Sequence, residues 1–335
     1  MTPLVPLVFF ASLAASAAPP TPLFDALPYG GWRVVGGAAA FELLPPASGD
    51  TGPVLVGRGP IPRNGFLTSP REIGDFTLEV EVRLGSPDNP KGDKMNSGIQ
   101  IRSRERDARI VGLQIEVDPS ARAWSGGVYD EGGRLWLAPL EGNDAARAAF
   151  KLGEWNAYEI EAIGPRIRTK VNGVPTAEWY DGCVAGLLAF QVHGGPPCEV
   201  AFRAPRIVEH GMHAWSELSS APRASDVAPH AFEAPLDGAT RGVRLRVSGR
   251  GSVVLAAGSS TVVEVPFEPV PVKEGEKPAA DANRVVEIVW LDGAGAALVD
   301  GRRVAAVRCD KAPDAVRVLA VDGGVRGAER LASSR

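Results

Sequence analysis

The clearest strand pattern in the chain reads Val111-Gly-Leu-Gln-Ile-Glu-Val-Asp118. Its branched apolar residues occupy every second position, and Gln114, Glu116 and Asp118 fall between them. Successive side chains of a strand point to opposite faces, so this period produces one apolar and one polar face. The pattern predicts an antiparallel strand that covers a core on one side and presents two carboxylates and an amide on the other.

The same alternation recurs on both sides of this segment, at Phe76–Leu84, Gly98–Arg102, Tyr158–Ala162, Arg166–Asn172 and Leu188–His193. The chain also contains 39 Gly and 29 Pro, and many of them stand between these segments in turn-like clusters. A helical period of some length is suggested only at Asn143–Lys151. Many short strands with Gly and Pro turns predict an all-β sandwich or jelly roll of two packed antiparallel sheets.

Composition bounds the class of protein. A length of 335 residues allows one large or two modest domains. The net charge of −4 and the lack of a basic block argue against a nucleic-acid partner. No stretch after the N-terminus reaches the ~18 apolar residues that a membrane-spanning helix needs. Cys183 and Cys198 flank one predicted hairpin roughly 15–25 Å apart, so we expect unpaired thiols there and at Cys309.

The N-terminal sequence has the pattern of a targeting segment. Residues 1–18 carry no charged side chain, and Leu4–Leu13 is an apolar run too short to span a bilayer. Ala15-Ser16-Ala17 then supplies the small-x-small pattern of a signal-peptidase site. We therefore predict a signal peptide over residues 1–17 and a secreted or periplasmic protein.

A shift in composition divides the rest of the chain. Strand patterns fill residues 22–209, an Ala-, Ser- and Pro-rich segment follows at 210–235, and residues 236–335 return to strand patterns. We predict one main domain, a linker and a smaller β-rich domain. The hairpin motif Val171-Asn-Gly173 recurs as Val299-Asp-Gly301, each at the same distance after a Glu-Ile pair, which allows the second domain to be a degenerate jelly roll.

The polar strand positions supply the candidate functional residues. They combine carboxylate, guanidinium, amide and imidazole groups, namely Glu81, Arg83, Arg102, Gln114, Glu116, Asp118, Gln191 and His193. Several aromatic residues offer flat surfaces for pyranose rings: Trp124, Tyr129, Trp136, Trp155 and Trp179. Such groups suit hydroxyl-rich ligands, so we expect an oligosaccharide or glycoside. A solvated, ion-paired face with Trp in the core is the alternative.

An ordered set of motifs matches a known family. It comprises Leu23-Phe-Asp25, Gly65-Phe-Leu-Thr68, Asp75–Arg83, Asn96-Ser-Gly-Ile-Gln-Ile-Arg102, Leu113–Asp118, Gly126-Gly-Val-Tyr129, Gly153-Glu-Trp-Asn156, Val171-Asn-Gly173, Gln191-Val-His-Gly194 and Phe202-Arg203. Residues 23–208 resemble the 3-keto-disaccharide hydrolase family. The resemblance implies a concanavalin A-like jelly roll, an exported setting and action on oxidised glycosides. It does not extend past His210.

The chemistry that the resemblance implies can be assigned to residues. A ketone at C3 acidifies the C2 proton, so a base removes it, the C1 substituent leaves, and water adds. Glu116, Asp118 and His193 are the candidates for base and acid, and Tyr129 is a candidate proton donor. We assign substrate binding to Glu81, Arg83, Arg102, Gln114, Gln191 and Trp155, with Arg102 and Gln114 toward the ketone oxygen or the hydroxyls.

Two other functions fit the same residues. Glu116 and Asp118 lie two positions apart on one strand face, so they can form the carboxylate pair of an ordinary glycosidase on unoxidised glucans. A non-catalytic, lectin-like carbohydrate-binding protein is the other alternative. No cofactor is required, although Glu116, Asp118 and His193 together allow a divalent metal.

Overall fold

The computed structural model describes residues 21–23, 31–37, 40–46, 52–85, 89, 91–92, 94–218, 232–271 and 283–334. The predicted signal peptide lies outside these residues. Strands dominate the described part of the chain, and the one helix is the single turn α1 (Asp144–Arg147). No helix among the described residues is long and apolar enough to cross a membrane.

The strands up to residue 217 are β1 (Thr21–Pro22), β2 (Arg33–Gly36), β3 (Ala40–Leu44), β4 (Val54–Arg58), β5 (Gly65–Thr68), β6 (Asp75–Gly85), β7 (Ser97–Arg106), β8 (Arg109–Val117), β9 (Val128–Glu131), β10 (Leu135–Ala138), β11 (Asn156–Ile163), β12 (Arg166–Val171), β13 (Val174–Tyr180), β14 (Leu187–Val192) and β15 (Glu199–Glu217). Those after it are β16 (Phe232–Pro235), β17 (Thr240–Ala257), β18 (Ser260–Phe267), β19 (Arg284–Leu291), β20 (Ala294–Val299), β21 (Arg302–Arg308) and β22 (Ala315–Ser334).

Two antiparallel sheets form the sandwich of the first domain. One has seven strands in the order β10-β9-β8-β7-β14-β5-β2, and we call it the inner sheet. The other runs β13-β12-β11-β6-β15, with β4 also paired to β15, and we call it the outer sheet. Apolar positions of both sheets meet in one buried cluster that includes Ile99, Leu113, Ile115, Leu78 and Ile160. The predicted all-β, concanavalin A-like jelly roll is confirmed.

The predicted linker begins as a strand. β15 leaves β6 after the pair Gly211↔Asp75 and continues against β22 from the pair Met212↔Ser334. Within the segment that we interpret as a linker, residues 210–217 continue β15, and β16 also pairs with β22. Partner strands satisfy the backbone here whatever the side chains are. Residues 219–231 lie outside the described part, and the domain boundaries stay predictions.

The hairpin motif is repeated in the second domain. Asn172 and Asp300 both adopt positive φ, at 50° and 49°, and each is followed by a glycine with positive φ. The Asn172 side chain accepts a hydrogen bond from Ala157 N at 2.9 Å, and the Asp300 side chain accepts one from Val285 N at 2.9 Å. The meanders β11–β12–β13 and β19–β20–β21 therefore share one turn design.

The second domain has its own apolar cluster and also packs against the sandwich. Its cluster draws on both halves of the long strand β17, for example Leu245 and Leu255. Leu291, Leu298 and other residues of this domain belong instead to the cluster of the first domain. Across the junction, Trp215 Nε1 donates to Gly182 O at 2.8 Å. The three cysteines are free, as predicted.

Candidate active site

A chain of amides leads to Glu116 on the polar face of the inner sheet. Gln100 and Gln114 are register partners on β7 and β8, and Gln100 Nε2 donates to Gln114 Oε1 at 2.5 Å. Gln114 Nε2 in turn donates to Glu116 Oε1 at 2.6 Å. Gln191 on β14 donates a second hydrogen bond to Gln114 Oε1 at 3.0 Å. The amides therefore fix the position of one carboxylate oxygen.

Glu116 is the most perturbed carboxylate of this face. Its second oxygen accepts a hydrogen bond from Asn96 Nδ2 at 2.9 Å, and the residue is only 3% exposed. Burial raises the pKa of Glu116 to about 7; the Asn96 and Gln114 hydrogen bonds oppose this rise, whereas the charges of Asp118 and Glu131 add to it. The carboxylate can therefore exchange a proton near neutral pH.

The tip of the β7–β8 hairpin folds back over this face. Register shifts between Ile101 and Arg104, where Arg102 has φ of +47°. Beyond this bulge, Ile110 packs with Val35, Phe66 and Ala189, which lie on the face itself. Arg33 on β2 forms an ion pair with Glu105 near the end of β7. This cover explains why Gln100 and Gln191 are fully buried although they are polar.

An aromatic wall borders the amide chain on the side of β9 and β10. Tyr129 is the register partner of Gln114, and its ring centroid lies 5.2 Å from that of Trp136. Trp124 meets Trp136 edge to face at 4.6 Å, and the Arg122 guanidinium lies 5.2 Å from the Trp136 centroid. All three rings are partly exposed. Burial, then the charges of Glu131 and Glu116, raises the pKa of Tyr129.

Asp118 and His193 lie at the ends of their strands. Asp118 accepts a hydrogen bond from Ser120 N at 3.1 Å and forms an ion pair with Arg122 at 3.1 Å, so it holds the turn that follows β8. His193 follows β14, and burial lowers its pKa, which favours the neutral imidazole. Among the described residues, no group of three or more His, Cys, Asp or Glu side chains is placed to hold a metal ion. The predicted metal set of Glu116, Asp118 and His193 therefore does not form.

Three predicted substrate-binding residues lie on the outer sheet instead. Glu81 and Arg83 alternate with core residues of β6, so their side chains face away from Glu116, and Trp155, which precedes β11, packs against Val54, Val56 and Ala201. Arg203 forms two hydrogen bonds with Glu81, at 2.8 and 3.0 Å. The Arg83 and Arg203 guanidinium groups lie 4.8 and 4.2 Å from the Trp155 centroid. Placing these residues in one set with Glu116 is wrong, because period two does not say to which sheet a strand belongs.

Arg102 is also turned away from Gln114. The bulge directs its side chain toward Asp75, whose Oδ1 lies 3.4 Å from Arg102 Nη2, and toward Cys183 O at 3.2 Å. Grouping it with Gln114 at the ketone oxygen is therefore wrong. Sequence reasoning missed Asn96 and Glu131 as neighbours of Glu116. The sequence contains a signal for both residues, since Asn96 begins the Asn96–Arg102 motif and Glu131 shares a strand face with Tyr129.

Comparison with known proteins identifies the family. The 3-keto-alpha-glucoside-1,2-lyase-like domain model matches residues 19–208, and the chain belongs to this family. Its members are carbohydrate-active proteins. A search of curated proteins finds no match.

Solved structures with similarity to the chain include three of carbohydrate-related proteins. Carbohydrate-binding module CBM66 from Bacillus subtilis is 18% identical, with a TM-score of 0.40 over 53% of this chain and 96% of the module. A putative glycosyl hydrolase from Parabacteroides distasonis is 16% identical, with a TM-score of 0.37 over 56% of this chain and 92% of its own. A beta-glucanase from Bacillus licheniformis is 12% identical, with a TM-score of 0.34 over 56% of this chain and 96% of the enzyme.

Proposed function

We propose that the protein cleaves the glycosidic bond of 3-keto-glycosides at the polar face of the inner sheet, with Glu116 as the general base. The observation that supports this most is the buried Glu116 carboxylate, whose pKa of about 7 suits proton removal at neutral pH. It lies within the segment that matches the lyase-like family. The predicted signal peptide would place the reaction outside the cytoplasm.

The reaction begins at C2 of the oxidised sugar. Glu116 takes the C2 proton, and the electron pair of that C–H bond moves toward the C3 carbonyl to give an enolate. The enolate then expels the C1 oxygen substituent, which leaves with a proton, and a C1–C2 double bond remains. Water adds its oxygen to C1 and a proton returns to C2, so the net change is hydrolysis.

Neighbouring residues supply the other roles. The Tyr129 phenol, whose pKa is raised by burial, is protonated at neutral pH and is the candidate donor to the leaving oxygen. Neutral His193 is the candidate to bind or activate water. Trp124 and Trp136 provide the flat surface on which a pyranose ring stacks. Gln114 and Gln191 hold the base in place rather than touch the sugar, because both are buried and bonded to each other.

One observation favours a binding function without catalysis. Both Glu116 oxygens already accept hydrogen bonds, and the side chain is 3% exposed, so a substrate must displace neighbours to reach it. Under this alternative, sugars stack on the Trp124–Trp136 wall and no bond is broken. Asp118 forms an ion pair with Arg122 and accepts from Ser120 N through Oδ1, and Asp118 Oδ2 has no hydrogen-bond partner among the described residues.

The test compares turnover of a 3-keto-glucoside with that of the same glucoside before oxidation. We expect cleavage of the first only, with kcat/KM rising to a plateau above about pH 7 as Glu116 ionises. Glu116→Gln should lower kcat at least about 100-fold. Glu141→Gln, at an exposed carboxylate of the same domain, is the matched control. Equal turnover of both glucosides would refute the ketone route, and retained sugar binding without turnover would favour the lectin-like alternative.

A further inference from the structure

A cleft of about 600 Å³ lies where the end of the sandwich meets the second domain. The first domain lines it with Arg102, Arg104 and Arg134, the extension of β15 with His213, and the second domain with Arg244 and Glu287. This volume is within the range that small-molecule sites occupy in proteins. Glu116, Gln114 and Asn96 do not line the cleft, whereas Glu131 does, so the cleft adjoins the Glu116 site without containing the proposed base.

Arg102 brings an unused buried donor to this cleft. Its side chain is fully buried, Nη1 donates to Cys183 O at 3.2 Å, and Nη2 lies 3.4 Å from Asp75 Oδ1. The Nε–H has no partner among the described residues. A buried donor without an acceptor costs free energy, which an acceptor atom in the cleft would recover.

His213 lies beside Arg102 and shares its carboxylate partner. Its Nδ1 lies 2.5 Å from Asp75 Oδ2, and Asp75 Oδ1 also accepts a hydrogen bond from Gly164 N at 2.8 Å. Asp75 is therefore occupied by three groups and orients both Arg102 and His213. Because the Asp75 carboxylate accepts, Nδ1 is the protonated nitrogen of this pair, and Nε2 of the neutral imidazole is an acceptor.

The charges around the cleft leave an excess of arginine. Its carboxylates are paired: Asp130 and Asp181 with Arg134, Glu287 with Arg244, and Glu131 with Arg109, which does not line the cleft. Arg104, in contrast, is exposed and forms no ion pair within the described residues. Arg106, which also lines the cleft, donates only to the carbonyl oxygen of Gly132. A ligand that supplies acceptors and negative charge therefore complements this site.

We propose that this interdomain cleft is a binding site for a small oxyanion, bound by Arg102 Nε and the Arg104 guanidinium. The ligand class is a molecule that carries a carboxylate or phosphate group, free or attached to a sugar. The second domain contributes to the site, since Arg244, whose guanidinium lies 4.0 Å from the Trp215 ring centroid, lines the cleft. This role goes beyond the proposed cleavage reaction and does not depend on it.

Calorimetric titration of the full chain tests the site with D-glucuronate, acetate, inorganic phosphate and neutral D-glucose. We expect the anions to bind, more weakly at high salt, and D-glucose not to bind there. Stronger binding of D-glucuronate than of acetate would identify an acidic sugar as the ligand, and equal binding would identify a simple anion. Failure of every anion to bind, or binding of D-glucose equal to that of D-glucuronate, would overturn the proposal.

Variants locate the binding. Arg104→Gln, at an exposed position, should weaken anion binding about tenfold. Arg102→Lys keeps the charge without the Nε–H donor and should weaken binding by a similar factor. Arg308→Gln changes an exposed arginine outside the cleft and should bind as the wild type does. Glu116→Gln should also bind normally, so failure here is distinguishable from failure of the cleavage proposal. Unchanged binding by Arg104→Gln would overturn the assignment.

Discussion

Replacing Glu116 with Gln should raise the free energy of unfolding, compared with that of the wild type, more at alkaline pH than at acidic pH. Burial raises the pKa of this carboxyl from its ordinary value of 4.5 to about 7 in the folded protein. Below the lower value Glu116 is protonated in both the folded and the unfolded protein, so its ionisation does not change the free energy of unfolding. Between the two values the unfolded chain has lost the proton that the folded chain retains, so the free energy of unfolding falls as pH rises. A difference of about 2.5 pH units corresponds to about 3 kcal/mol.

The assay is urea unfolding, followed by tryptophan fluorescence, of both proteins between pH 4 and 9. The Gln variant has no proton to lose at this position, whereas every other group titrates equally in the two proteins. The difference in free energy of unfolding, variant minus wild type, should therefore increase by about 3 kcal/mol between about pH 4.5 and 7 and then stay constant. Glu141→Gln is the control and should follow the wild type. If the free energies of unfolding of Glu116→Gln and the wild type change in parallel with pH, Glu116 is not a buried carboxyl that titrates near neutral pH.

Three further substitutions test the placement of residues. A Cβ at Gly98 would lie 2.4 Å from Gln114 Cδ, so Gly98→Ala should displace that amide and lower kcat about tenfold or more, measured on the 3-keto-glucoside. Trp155→Ala should leave turnover unchanged and lower the free energy of unfolding by about 1–2 kcal/mol in urea, because Trp155 stacks with arginines on the outer sheet. Asp75→Asn should cost about 3–5 kcal/mol in the same assay, because it leaves Arg102 buried without its counter-ion.

The fold followed from the sequence because period-two alternation is a local property. The alternation at Phe76–Leu84 and Val111–Asp118 predicted β6 and β8, and both strands bury their apolar residues as expected. The sheet to which each strand belongs is set by long-range pairing. Glu81 and Glu116 therefore look alike in sequence although they lie on opposite sides of the sandwich.

The candidate site followed only in part. Gln114, Glu116 and Gln191 converge as their shared strand face predicted. Arg102 does not, because a bulge shifts the period by one residue and no local signal in Ile101–Arg104 announces it. The extension of β15 to Glu217 was missed because its partner β22 lies at the far end of the chain. The family resemblance, rather than periodicity, pointed to the chemistry.

Cleavage of a 3-keto-glucoside in D₂O, with the product followed by proton NMR at early times, tests the central claim most directly. If Glu116 removes the C2 proton before the C1 bond breaks, the 3-keto-glucose released by the wild type will carry deuterium at C2. On the same timescale, the Glu116→Gln variant will release almost no 3-keto-glucose. An enzyme-free control will exchange almost none of the C2 proton. Product that retains its original proton at C2 during rapid turnover would contradict proton abstraction by Glu116.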